Sequence, residues 1–174
     1  MNCCMDVGAL LIELYGRFVP LARDAIADLD VQQVVSAPQP EANPIGWLVW
    51  HAARVQDHHV AALLGINQVW ESGDWAARFR LDPDPENTGY GHSPADVSSV
   101  QPVDVQVLVE YLEAVCIRTE AMLRTLSPRD LDDIVDERWD PPVTRGVRLV
   151  SIADDTLQHL GQAAYGRGLL IGAP

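Results

Sequence analysis

Positive charge is scarce in this sequence. Twelve basic residues face 25 acidic ones, for a formal net charge of −13. Such a surface repels phosphate backbones and anionic lipid, so neither nucleic acid nor a membrane surface is expected as a partner. The excess acid itself reads as a device for solubility. Cysteine is scarce too. Cys3, Cys4 and Cys116 form an odd set without CxxC spacing, which argues against a disulfide framework. Cys116 lies on an apolar helical stripe and reads as a small buried hydrophobe. Cys3 and Cys4 have no neighbours that support catalysis. No apolar run approaches the roughly 20 residues that span a bilayer. The opening Met1-Asn2-Cys3-Cys4-Met5-Asp6 lacks a basic stretch followed by an apolar one. No secretory signal is therefore expected, and the cytoplasm is the expected location. Neither a Walker loop nor a dinucleotide-type glycine fingerprint is present.

Apolar residues make up 48% of the 174 positions, enough for a sizeable core, and the length suits one domain over residues 1–174. Leu10, Leu11, Leu14, Phe18, Leu21, Ala25, Ile26 and Leu29 recur at helical spacing and predict a first helix over 6–29. Pro20 should kink it or start a second segment, because it lacks an N–H and crowds the preceding turn. Residues 36–41 read as a linker. Asn43-Pro44 reads as an N-cap followed by proline at the first helical position, so a second helix is expected over 44–64, closed by Gly65. Residues 66–102 are rich in Gly, Pro, Asp and Asn and predict a long excursion with one short helix near 75–79. An excursion of that length is more often functional than idle. A third helix is expected over 103–126, then a short turn from Ser127-Pro128. A fourth is expected over 149–170, with Gly166 and Gly168 loosening its end. The sum is all-α, a four-helix bundle of the up-down kind with the excursion between its second and third helices.

Five histidines are present: His51, His58, His59, His92 and His159. Asp155 precedes His159 by four residues, which puts both on one helix face about 5–6 Å apart at Cβ. With His51 on a neighbouring helix they form a three-point grip for a divalent ion, with positions left open for water or substrate. Imidazole and carboxylate suit zinc, nickel or ferrous iron. There are plainer alternatives. An Asp-x-x-x-His pair commonly makes only a surface hydrogen bond, and a histidine flanked by Trp47, Leu48 and Trp50 commonly bonds a backbone carbonyl. His58 is seven residues after His51 and close to the same stripe, so it and Gln162, one turn beyond His159, are the candidates for a catalytic or supporting role. His92 sits in a Gly-Tyr-Gly-His loop whose glycines allow close approach to a ligand. Arg54, His92 and Arg167 are the candidate cofactor-binding residues, the two arginines as carboxylate binders. The tryptophans at 47, 50, 70, 75 and 139 read as core or interface.

The run Asn43-Pro44-Ile45-Gly46-Trp47-Leu48-Val49-Trp50-His51 resembles the second helix of the DinB-like superfamily of damage-inducible four-helix metalloproteins. Asp155-Thr156-Leu157-Gln158-His159-Leu160-Gly161-Gln162 resembles that superfamily's last-helix motif, a ligand, three residues, then His-x-Gly-Gln. Four further runs are similar to an actinobacterial branch described as mycothiol-dependent: Arg54–Asp57, Thr88–His92, Trp139–Leu149 and Gly161–Tyr165. The resemblance implies His51, Asp155 and His159 as metal ligands. Many members carry histidine where this chain has Asp155; mycothiol-using maleylpyruvate isomerases carry a carboxylate there.

Two functions from different classes follow. One is a metal-dependent thiol S-transferase or thiol-assisted isomerase acting on a small electrophile, with mycothiol as the thiol; with water in place of the thiol the same site would be a hydrolase. The other is a non-catalytic metal-binding or stress-response protein. A homodimer is also expected, from the tryptophans and apolar faces of the bundle.

Overall fold

A computed structural model describes residues 5–171 of the chain. Cys3 and Cys4 lie outside the described residues. The long helices close a ring. In chain order the helices are α1 (Val7–Tyr15), α2 (Phe18–Ile26), α3 (Val31–Val35), α4 (Ile45–Leu64), α5 (Trp75–Arg78), α6 (Pro94–Ser99), α7 (Gln106–Leu123) and α8 (Arg145–Ile171). α4 packs between α7 and α8, and α2 packs between the same two from the other side, while α1 lies against α7. This is the expected all-α four-helix bundle. None of the described helices is long and apolar enough to cross a membrane.

The first helix breaks where the chain can tolerate it. α1 ends at Tyr15, and α2 restarts at Phe18, which puts Pro20 in its first turn. There the missing N–H has no intrahelical acceptor to lose. Asp30 and Gln33 then make a reciprocal capping box that starts α3, a short helix the apolar pattern did not announce. α4 starts one residue later than expected, with Pro44 itself at the N-cap, and ends on Gly65 in the left-handed conformation at φ 67°. The excursion holds more structure than one short helix. Besides α5 it contains a 3₁₀ turn (Val69–Glu71) and α6, the latter announced by a Ser93-Pro94 start with Asp96 closing its capping box. α7 is shorter than expected at both ends. α8 begins four residues early because an antiparallel hairpin of β1 (Ile134–Asp136) and β2 (Val143–Thr144) runs directly into it. Both strands are too short for a period-two pattern to stand out. Gly166 does not loosen α8: it lets Ile45 and Pro38 pack against the helix, within 3.4 Å of where a Cβ would sit.

Fourteen of the twenty residues of α4 are buried, among them His51, Arg54, Gln56 and Asp57. Polar groups on the buried stretch of this helix must be satisfied within the protein. Asp57 accepts from the backbone N–H of Val69 and Trp70 and from the Tyr111 hydroxyl, each at 2.8 Å. Arg54, with no exposed surface, lies 3.5 Å from Asp57 and stacks its guanidinium over Trp70. It donates to the carbonyls of Asn87 and Pro85, to Gln68 Oε1 and to the Tyr111 hydroxyl. Trp70 in turn meets Trp50, Phe79 and Tyr111 edge-on or tilted. The excursion is thus sewn to α4 and α7 by one charged pair and an aromatic cluster.

Removing one partner of a buried ion pair leaves the other charged, buried and unmatched, which costs about 3–5 kcal/mol. Arg54→Ala should lower the unfolding free energy by about that amount, and Arg118→Ala, at the partly exposed edge of the same carboxylate, by less than about 1 kcal/mol. Urea unfolding of both variants measures the difference.

Candidate metal centre

α4 presents His51 and α8 presents Asp155 and His159 to the same point. One donor atom from each lies within 4.8 Å of the others. The His51 and His159 rings meet edge to face with centroids 4.6 Å apart. Each histidine is held by its Nδ1. In His51 it donates to the Thr88 carbonyl at 2.6 Å, and in His159 to the Asp155 backbone carbonyl one turn back at 2.8 Å. Both rings are therefore fixed as the tautomer with a free lone pair on Nε2, the arrangement a metal ligand needs. Burial pulls the pKa of His51 down, outweighing the Thr88 bond that raises it, so the ring is neutral at physiological pH. Burial also acts to lower His159, but the hydrogen bond and charge of Asp155 prevail and lift it above its ordinary value.

Asp155 supplies the charge. Its Oδ1 lies 4.0 Å from His51 Nε2, and its Oδ2, sealed from solvent, faces His159 Nδ1 at 3.5 Å without completing a hydrogen bond. An orphaned buried carboxylate oxygen is costly, and a cation removes the cost. A divalent ion therefore fits the donor set of two neutral imidazoles and one carboxylate. Zinc, nickel and iron all accept that set.

Beside His51 and Asp155 lies a cleft of about 460 Å³, lined by those two with Val55, His58, Thr88 and Ile152 among others. The excursion forms its rim. Gly89 has φ 93°, and a Cβ there would fall 2.7 Å from His51 Nδ1 and 2.9 Å from Trp50. Gly89 of the Thr88–His92 run thus allows close approach to His51. Trp47, one turn before His51, stacks on its ring at 4.7 Å and 7°.

The other candidate residues are dispersed. His58 lines the cleft, with Nδ1 facing Gln68 Nε2 at 3.4 Å. Gln162 is exposed and lines a separate hollow with Tyr165 and Leu169, away from the ligands. His92 is a support: Nδ1 accepts from Trp47 Nε1 at 3.2 Å, Nε2 bonds Asn87 Oδ1, and the ring stacks on Trp50. Arg54 is corrected from cofactor binder to core residue, since its guanidinium is wholly buried and engaged. Arg167 lies two turns beyond His159, bonds the Ala27 carbonyl and pairs with Asp28, so it secures the end of α2. Burial pushes the Cys116 thiol up to about 12; the residue is half-buried, packed against the edge of the core. Thr88 and Trp47 were missed. Trp47 was detectable from its i,i+4 spacing to His51, whereas Thr88 acts through its backbone.

A helical bundle that brings two histidines and a carboxylate from adjacent helices to one point has a donor set that can hold a metal ion. A family profile described as the DinB superfamily matches residues 20–163, and the chain belongs to that superfamily. The chain is also similar to a conserved protein from Enterococcus faecalis of known crystal structure. The two share 35% identity and a TM-score of 0.89, over 98% of this chain and 100% of that one. No curated protein matches it.

Two outcomes test the centre. Gly89→Ala displaces the Thr88 loop from His51 and should weaken zinc binding roughly 10–100-fold, as loss of a supporting contact does; chelator competition measures it. A metal competes with protons for imidazole, and His159 holds its proton to higher pH than an ordinary histidine. Zinc affinity should therefore fall roughly tenfold per pH unit below the His159 pKa. The same competition run from pH 8 down to pH 5 reads the slope.

Proposed function

We infer that this chain is a metal-dependent enzyme that presents a small thiol to an electrophile, as a thiol S-transferase or thiol-assisted isomerase. Mycothiol is the proposed thiol and zinc the proposed ion. The observation that carries this reading is the convergence of His51, Asp155 and His159, with one donor atom from each within 4.8 Å of the others, at the wall of an open cleft. Three protein ligands leave coordination positions free, which distinguishes catalytic from structural sites. A divalent ion held there would act as a Lewis acid and lower the pKa of a thiol at the site into the neutral range. The protein's own groups do the rest. Thr88 and Trp47 hold His51 in place. Val55 and Ile152 give the cleft apolar walls that exclude water from part of it. His58 accepts from Gln68 at Nδ1, so its proton sits on Nε2, available to a developing negative charge on the electrophile.

A second reading, a non-catalytic metal-binding protein, is favoured by one observation. His58 and His59 are each tied through a ring nitrogen, to Gln68 and Arg148 respectively, and neither forms an acid/base pair with a carboxylate.

Asp155→Ala and His51→Ala should each reduce zinc affinity by more than the roughly 10–100-fold that loss of a supporting contact costs. Both should abolish thiol conjugation to a fluorogenic electrophile. Elemental analysis and conjugation rates on the same samples check this. Stoichiometric zinc without turnover on any thiol supports the second reading, and unchanged zinc in His51→Ala refutes the site.

A further inference from the structure

The cleft does not end at the metal centre. His58 and His59 line it and also line an adjoining hollow of about 120 Å³, whose other walls include Arg148, Arg138 and Asp136. One stripe of each helix runs the whole length. On α4 it is His51, Val55, His58 and His59; on α8 it is Asp155, Ile152, Ser151 and Arg148. Seven residues separate Asp155 from Arg148, a rise of about 10 Å along the helix.

The two ends differ in charge. The charged residues lining the metal end are the carboxylates Glu86 and Asp155. At the far end one carboxylate, Asp136, meets two guanidiniums: Arg138 grips it through Nε and Nη2 at 2.9 Å, and Arg148 through Nη2 at 3.0 Å. One positive charge is left over in a chain of net charge −13. Asp136 is held well below the usual carboxylate range, first by its bonds to Arg138, so it stays ionised and does not add to that excess. The neighbouring His59 adds no charge. Burial and then Arg148 push its pKa down to about 4, and its Nε2 faces Arg148 Nη1 at 3.4 Å. Arg148 is mostly shielded from solvent by this cage, with Nε making no hydrogen bond to the protein; Arg138 stands in water with Nη1 likewise unengaged. A guanidinium fork that is already oriented and has donors to spare is a carboxylate receptor.

We propose that the Arg148–Arg138 end of the cleft binds an anionic group of the enzyme's electrophile, so that the co-substrate carries a carboxylate that sits about 10 Å from the sulfur held at the metal end. The inference rests on the thiol reading for the sulfur end only. Asp136 acts as the positioning residue that aims both arginines, and His59 as the neutral spacer between them and the metal.

The test separates the two ends. Cobalt-loaded protein is titrated with ω-thiol carboxylates of increasing chain length, with alkyl carboxylates lacking sulfur, and with the matching neutral alcohols. Cobalt absorption reports sulfur at the metal, and the His59 imidazole resonances report the far end. Carboxylates, with or without sulfur, should shift His59 and bind roughly tenfold or more tightly than the alcohols, with affinity rising up to the spanning chain length. Arg148→Gln should remove that advantage while leaving the alcohols unchanged. Arg138→Gln, in an exposed turn with little bearing on folding, should weaken it in part, and Arg148→Lys should restore some of it. Equal binding of carboxylates and alcohols, or a carboxylate advantage that survives Arg148→Gln, overturns the proposal. Carboxylates that shift His59 with no sulfur band in the cobalt spectrum support it and refute the thiol reading instead.

Discussion

The buried Arg54–Asp57 pair is the constraint on which the rest of the structure depends. Two charges one turn apart in the buried middle of a helix cannot persist unless nearly every lone pair and proton is matched. The partners come from outside α4: the 3₁₀ turn at Val69 and Trp70, the carbonyls of Pro85 and Asn87, and Tyr111 of α7. Satisfying the pair therefore fixes the path of a segment that has little regular structure of its own. The next residue along that path is Thr88, whose carbonyl orients His51. Core electrostatics and metal-site geometry are in this sense one construction, with the first setting the position of the second.

The two candidate histidine ligands are prepared by different means. His159 relies on its own helix, using a carbonyl one turn back, and that bond together with the Asp155 charge raises its proton affinity. His51 relies on the excursion and on the stacked Trp47, and burial lowers its proton affinity. An ion held there would thus compete with a proton more strongly at His159 than at His51. The excursion acts as more than a rim, because Asn87, His92 and Trp47 form a chain of bonds that ends on the face of a ligand.

Much of this was legible in the sequence. The four long helices, the Gly65 stop and the pairing of Asp155 with His159 follow from spacing alone, because helical period fixes which side chains share a face. The likeness of the two helix motifs to a known superfamily brought His51 to the same point. What escaped notice was carried by the backbone or by distance in sequence. Thr88 acts through a carbonyl, which no side-chain pattern reveals. The hairpin before α8 is too short for periodicity. Arg54 looked like a ligand binder because a lone arginine on an apolar helix invites that reading, and only the packed structure shows that Asp57, Gln68, Tyr111 and two loop carbonyls use its donors. The Arg148 end was invisible because its partner, Asp136, lies on a strand that the pattern did not predict.

The most direct measurement is anomalous scattering from a crystal of the zinc-loaded protein, recorded on both sides of the zinc edge. The account predicts a single strong peak bonded to Nε2 of His51, Nε2 of His159 and a carboxylate oxygen of Asp155, at the roughly 2.0–2.2 Å usual for such ligands. A peak elsewhere, or one bound through the Nδ1 atoms that hold Thr88 and the α8 backbone, would contradict it.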